Sequence, residues 1–280
     1  MLFFFLGPET RYIRQGVHHK GSAFHQEYLN FSRLDPSPLR LFEFLQPILL
    51  YKYASILIPT VAYAIVFNFV SVLMTVEIPQ IFIPKFGFNP QQLGLQFLGM
   101  IVGSVLGEAL AGWLSDKWMN ARTKTVGGHL VRPPPEFRLW ISHLGFVLVI
   151  AGLIVFGVQT ENAQSMHWNI TPIIGIAIAS VGNQIVTTVL VTYAVDSHPE
   201  HSSSIGTFVN LVRSTWAFIG PFYFPEMIAT LKVSGACGLM AGITAVCSIL
   251  PILVLQRWGT AWRELRVKNT ERGDEVSRGD

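Results

Sequence analysis

Two ionisable residues, Glu108 and Arg213, stand inside long apolar runs of this 280-residue chain. A charge at membrane depth is costly unless it finds a counter-ion, a polar partner or a watery cavity, so such residues mark ion or substrate paths. Glu108 lies eight residues before Asp116, where its run ends, and Arg213 lies eight residues after Ile205, where its run begins. At a rise of 1.5 Å per helical residue, both sit about 12 Å from the same end of the bundle. That shared depth makes a Glu108–Arg213 ion pair the first expectation and a coupling-proton role for Glu108 the second. Uncharged polar residues in the same runs mark a candidate substrate cavity: Tyr63, Asn68, Gln96, Asn183, Gln184, Thr187 and Asn210. Buried amides need partners, and Asn183-Gln184 falls near the middle of its run, where small molecules are bound in transporters. Hydrogen bonding between helices accounts for the same residues equally well.

The other chemistries lack their residues. No run carries a Ser–His, paired-Asp or His–Glu metal constellation, so an enzyme is not expected, nor is a cofactor or a metal site. His18, His19 and His25 fall in a polar stretch with no Cys or spaced carboxylate, which reads as a solvated loop. His143 stands alone near the start of a run and reads as a hydrogen-bonded packing residue. Cys237 and Cys247 share one run; about 15 Å apart along a helix, they cannot bond each other. Of two glycosylation sequons, Asn30-Phe31-Ser32 falls on the basic, inner side, and Asn169-Ile170-Thr171 lies close to the next run.

The elements that hold these residues follow from composition. Half of the chain is hydrophobic and only 13% is charged, about half the charged share of a soluble domain. A helix needs roughly 20 apolar residues to cross a bilayer. Uncharged stretches of 24, 22, 22, 34 and 24 residues separate Lys52 from Glu77, Lys85 from Glu108, Arg138 from Glu161, Glu161 from Asp196, and Lys232 from Arg257. With Ile205 to Phe224, broken only by Arg213, they make six spans. The runs are Gly-rich without strict alternation, which predicts helices rather than barrel strands. An all-α integral membrane bundle of six helices is therefore expected, with the lipid bilayer as its surroundings.

Orientation comes from the basic residues. Seventeen of the 20 Lys and Arg fall before the first span, between the second and third, or in the tail, and only Lys85 and Lys232 mark the opposite side. By the positive-inside rule both termini are cytosolic. This charge sorting points away from nucleic acid. Residues 1–8 read as the remnant of a preceding membrane helix and residues 9–52 as a cytosolic loop with an interfacial helix. Residues 53–256 form the membrane domain and 257–280 a cytosolic tail. Gly99, Gly103 and Gly107 lie on one stripe of the second span, where they let another helix come close. Gly238 and Gly242 repeat that spacing on the last span.

Gly112-Trp-Leu-Ser-Asp116-Lys117, followed by Arg122 and Lys124, resembles the loop signature of the major facilitator superfamily, Gly-x-x-x-Asp-Arg/Lys with basic residues after it. Trp118-Met119-Asn120 stands where the family usually has a further Gly. Pro135-Glu136-Phe137-Arg138-Leu139 resembles the start of the following helix in many fungal members. Tyr193-Ala-Val-Asp196-Ser197-His-Pro199, with Arg213 downstream, resembles their turn between the next two helices. Phe5-Leu-Gly-Pro8-Glu9-Thr10-Arg11-Tyr12 is similar to the end of their sixth helix. The resemblance covers essentially the whole chain and implies the second six-helix half of a twelve-helix fold. It further implies that Asp116, Lys117, Arg122, Glu136, Arg138 and Asp196 form a cytosolic charge latch that opens and closes with transport. Asp116 and Asp196 sit at helix C-termini, where a carboxylate needs a cationic partner.

The functional expectation is a secondary active, proton-linked transporter half for a drug or metabolite, which does not transport alone. It would work with an N-terminal transporter half or as a homodimer, more readily in the plasma membrane than in the vacuolar one. The alternative is a non-transporting six-helix partner or regulatory subunit.

Overall fold

The structure is a computed structural model that describes residues 47–126, 129–131 and 133–261. The expected helix remnant, most of the loop before the first span and the tail beyond Ala261 lie outside the described residues.

Among the described residues, five continuous stretches are long and apolar enough to cross a membrane. The first, α1 (Ala54–Phe86), follows a short 3-10 turn at Ile48–Lys52. It carries Pro59, Pro79 and Pro84 and opens into a π turn at Asn68–Val72. Each proline removes a backbone donor from the helical ladder, so α1 is held by burial rather than by propensity. Ile56, Val66, Phe69, Met74, Ile78 and Phe82 are all sequestered in the main core. The expected end of this span at Glu77 is corrected by the structure, because the helix continues to Phe86 and Glu77 lies inside it. A carboxylate marks a span end only when it reaches water, and this one does not.

The second, α2 (Pro90–Arg122), opens on a capping box. Asn89 Oδ1 accepts from the Gln92 N–H at 2.8 Å, and Gln92 Oε1 accepts from the Asn89 N–H at 3.1 Å. Pro90 takes the first helical position, where its missing N–H costs nothing. After α2 the chain forms a hairpin, β1 (Lys124–Val126) antiparallel to β2 (His129–Val131), with Lys124 opposite Val131. The sequence between the strands is Gly127-Gly128, a pair suited to a two-residue hairpin connection. The sequence reading had only a basic loop there.

Helix α3 (Pro135–Asn162) and α4 (Thr171–Ser197) pack along each other. The last apolar stretch, Pro199–Ala261, is 63 residues long and holds two helices, divided at Lys232 with φ 59° and ψ 175°. We call residues 202–231 α5 and residues 233–261 α6. With that division the bundle has the six spans the charge-free runs indicate.

Helix α4 is the spine, touching α1, α2 and α3. Small residues make this possible. A Cβ built on Gly103 would lie 2.4 Å from the Ala177 carbonyl oxygen, closer than any real Cβ approaches an oxygen. Gly99 and Gly107 meet Ile173 and Val181 in the same way, so the stripe of α2 lies on the backbone of α4. On the other side Gly145 and Gly152 of α3 interlock with Gly182 and Ala179 of α4. Their spacing of seven, two helical turns, is legible in the sequence. The expectation for the last span is corrected: among the described residues no other element lies within 4 Å of a Cβ at Gly238 or Gly242.

Candidate functional site

At the end of the bundle that carries the hairpin, Arg138 is the hub. Its 3-10 turn, Pro135–Arg138, points the guanidinium between the ends of α2 and α4. One Nη donates to Ser115 Oγ at 3.0 Å, and the other lies 3.1 Å from Asp196 Oδ2. Asp196 sits in the last turn of α4, where the helix dipole disfavours a carboxylate, so the arginine neutralises an otherwise unfavourable charge. Glu136 is buried beside it. Lys117 and Arg122 turn to aromatic faces instead of acids. Lys117 Nζ lies 4.6 Å from the Trp113 ring centre and the Arg122 guanidinium 5.3 Å from that of Phe137. Trp118 stacks on Phe137 with centroids 5.4 Å apart. Asp116 is exposed and makes no ion pair among the described residues. A second tie holds α1 to the α4–α5 turn: His198 Nε2 is 2.9 Å from Ser55 Oγ, and His198 Nδ1 is 3.4 Å from Glu200 Oε1.

Glu108 and Arg213 are not brought together. Helix α2 packs on α4, whereas α5 packs on α1, so equal depth does not make the two residues neighbours. Glu108 is exposed on the outer face of α2. Arg213 faces α1: its guanidinium lies 4.5 Å from the Phe67 ring centre and donates to Tyr63 Oη at 3.4 Å and to Asn210 Oδ1 at 2.8 Å. Its Nε–H is buried without a partner.

The polar residues of the candidate cavity separate into two groups. Tyr63, Asn68, Asn183 and Asn210 gather where α1, α4 and α5 meet. The π turn of α1 presents Asn68 and Ser71: Asn68 donates to Tyr223 Oη at 2.8 Å, and Asn183 donates to Ser71 Oγ at 3.4 Å. Both amide oxygens, Asn68 Oδ1 and Asn183 Oδ1, are buried and unpartnered. π turns inside long helices are often found at functional sites. Thr187 returns its hydroxyl to the Asn183 carbonyl at 2.7 Å, and Gln184 lies half-buried where α4 meets Gly107. Gln96 is elsewhere, at the opposite end of the bundle from the hairpin, where it accepts from the Trp168 indole at 3.2 Å.

That far end holds what the sequence reading missed. Lys85 Nζ donates to the Thr160 carbonyl and, at 3.1 Å, to the Glu161 carbonyl at the end of α3. Glu161 in turn accepts from the Ser234 N–H at 3.1 Å and from the Ser234 hydroxyl, and Lys232 lies 3.8 Å from it. Both cations on this side are thereby occupied by one helix end and one carboxylate. Glu77 was missed as well: it is 3% exposed, and its Oε1 is buried with no hydrogen-bond partner. His143 Nε2–H donates to Gln256 Oε1 at 3.0 Å, a packing contact. Cys237 is buried and Cys247 exposed, both as free thiols.

Six membrane-crossing helices around a small-residue spine, with a charged network at one end, define a polytopic membrane protein. The chain belongs to the major facilitator superfamily, whose family model matches residues 2–221. It is similar to an efflux pump, atB, of Aspergillus terreus, 33% identical over 190 residues that cover 66% of this chain and 38% of the relative. It also resembles the MFS-type transporter penM of Penicillium rubens, 27% identical over 78% of this chain and 42% of that protein. The MFS-type transporter phm3 of Pyrenochaetopsis sp is 30% identical over 69% of this chain and 38% of its own length. The chain thus spans about two fifths of the length of these relatives. No solved structure matches it.

Proposed function

We propose that this bundle forms one wall of a secondary, proton-linked transport path for small organic molecules, completed by a second six-helix bundle on the same or another polypeptide. The observation that carries the reading is the polar seam of Tyr63, Asn68, Asn183 and Arg213, set at membrane depth in a member of a transporter family. Such residues are tolerated there when they face a path rather than lipid. The printed name of one relative, efflux pump, favours export, and the sorting of Lys and Arg favours cytosolic termini, in the plasma membrane on this reading.

On this reading the ties of Arg138 to Asp196 and Ser115 form the latch, with Lys117, Arg122, Asp116 and Glu136 around it. The proton site is Glu77 rather than Glu108, because Glu77 is an ionisable group buried inside a span with an unpartnered carboxylate oxygen, whereas Glu108 is exposed on the outer face of α2. The test is reconstitution into pyranine-loaded vesicles, alone and with the first six-helix part of a relative such as the Aspergillus terreus pump. Rhodamine 6G, ethidium and benzoate are added in turn. Proton movement coupled to one of them is expected only in the completed protein and is lost in Glu77→Gln. Coupled transport by the chain as a monomer would overturn the shared-wall reading; wild-type coupling in Glu77→Gln would remove that residue from it.

A further inference from the structure

The Arg213 guanidinium is a full positive charge at membrane depth with no carboxylate partner among the described residues. Its neighbours are a phenol, an amide and a phenyl ring. What matters is which hydrogen-bonding valences those neighbours leave open. Tyr63 spends an oxygen lone pair on Arg213 and has no acceptor for its own O–H among the described residues. Asn210 spends its carbonyl oxygen on Arg213, which leaves the two N–H bonds of its Nδ2 open. The Arg213 Nε–H is itself unpartnered. The Phe67 ring covers one face of the guanidinium, leaving its edge for a ligand. The open N–H and O–H groups around the cation thus add neutral donors to its full positive charge. A ligand group complementary to that set offers only acceptors and carries negative charge.

We infer that Arg213, Tyr63 and Asn210 form a binding site for an anionic group of the transported molecule, a carboxylate on an aromatic or otherwise apolar body. The inference rests on the reading of this seam as part of a transport path. The guanidinium supplies the charge and a planar fork that matches a carboxylate. Tyr63 O–H and Asn210 Nδ2–H supply neutral donors at its rim. Phe67 gives the apolar body somewhere to lie. Lysine would keep the charge and lose the fork.

The experiment is titration of the purified full chain in lipid nanodiscs with benzoate, benzamide and benzylammonium, followed by saturation-transfer NMR. Benzoate should bind while its neutral and cationic isosteres do not. Arg213→Gln should weaken benzoate about tenfold or more, and Arg213→Lys should fall between the two. Tyr63→Phe, which removes only a hydroxyl, should weaken benzoate by a smaller factor and keeps the test decisive if Arg213→Gln does not fold. Equal binding of benzoate and benzamide, or unchanged benzoate affinity in both Arg213→Gln and Tyr63→Phe, would overturn the assignment. So would an absence of benzoate binding to the wild-type chain. Binding of the neutral or cationic compound alone would leave the transport reading standing and remove only the anionic class.

Discussion

Arg138 shows how a single side chain ties together the hairpin end of the bundle. It is largely buried, bonded to one hydroxyl and one carboxylate, and its Nε has no partner. Replacing it by Gln leaves Asp196 at a helix C-terminus with nothing to offset its charge. Arg138→Gln is expected to lower stability by about 1 kcal/mol, since the partner carboxylate is partly exposed and screened. Thermal unfolding of Arg138→Gln, Asp196→Asn and the double variant should show that the two losses do not add. An additive result would mean that the pair is a surface coincidence. Motif spacing brings Arg138, Ser115 and Asp196 to one end of the bundle whatever the helix rotation. Glu108 and Arg213 are a different case. Depth can be counted along a helix, but the direction a side chain faces depends on which helices are neighbours, and α2 and α5 are not.

At the scale of elements, glycine position decides which helices touch. Gly103 lies against the backbone of α4, so Gly103→Val should force α2 and α4 apart and cost on the order of 1–3 kcal/mol. Gly242→Ala meets open space and should be neutral or stabilise by up to about 1 kcal/mol through helix propensity. Helical content against temperature in one detergent distinguishes them; equal effects would mean that the stripe on α2 does no packing. Lys232 makes a second case. Its positive φ divides α5 from α6 in a region that favours glycine, and Glu161 holds the turn through Ser234. Lys232→Gly should raise the unfolding midpoint, with about 1 kcal/mol of relieved backbone strain outweighing a weak, exposed ion pair. A lowered midpoint would show that the ion pair matters more. The six spans were legible because a charge-free run of that length has few other uses. The exact ends were not: Glu77 looked like a boundary and proved to be interior.

At the scale of the molecule, the exposed face of α2 presents a conflict that a lone bundle does not resolve. Ile101, Val102, Val105 and Leu106 are all exposed there, as a lipid-facing surface would be, yet Glu108 is exposed beside them. An acid facing hydrocarbon at that depth costs about 2.5–3.5 kcal/mol on insertion scales. Nothing in α1, α3, α4, α5 or α6 relieves it, since Glu108 has no partner among the described residues. A second bundle lying on α2 would, by covering the apolar residues and offering the acid a polar or cationic group. Spin labels at Ile101→Cys and Val105→Cys should therefore report high accessibility to lipid-dissolved oxygen when the chain stands alone. Accessibility should fall when the first six-helix part of a relative is co-expressed, while a label at the exposed Leu253 of α6 should not change. If all three labels stay oxygen-accessible in the assembled protein, α2 faces lipid and the second bundle sits elsewhere. In that case Glu108→Gln would leave both assembly and stability as they were.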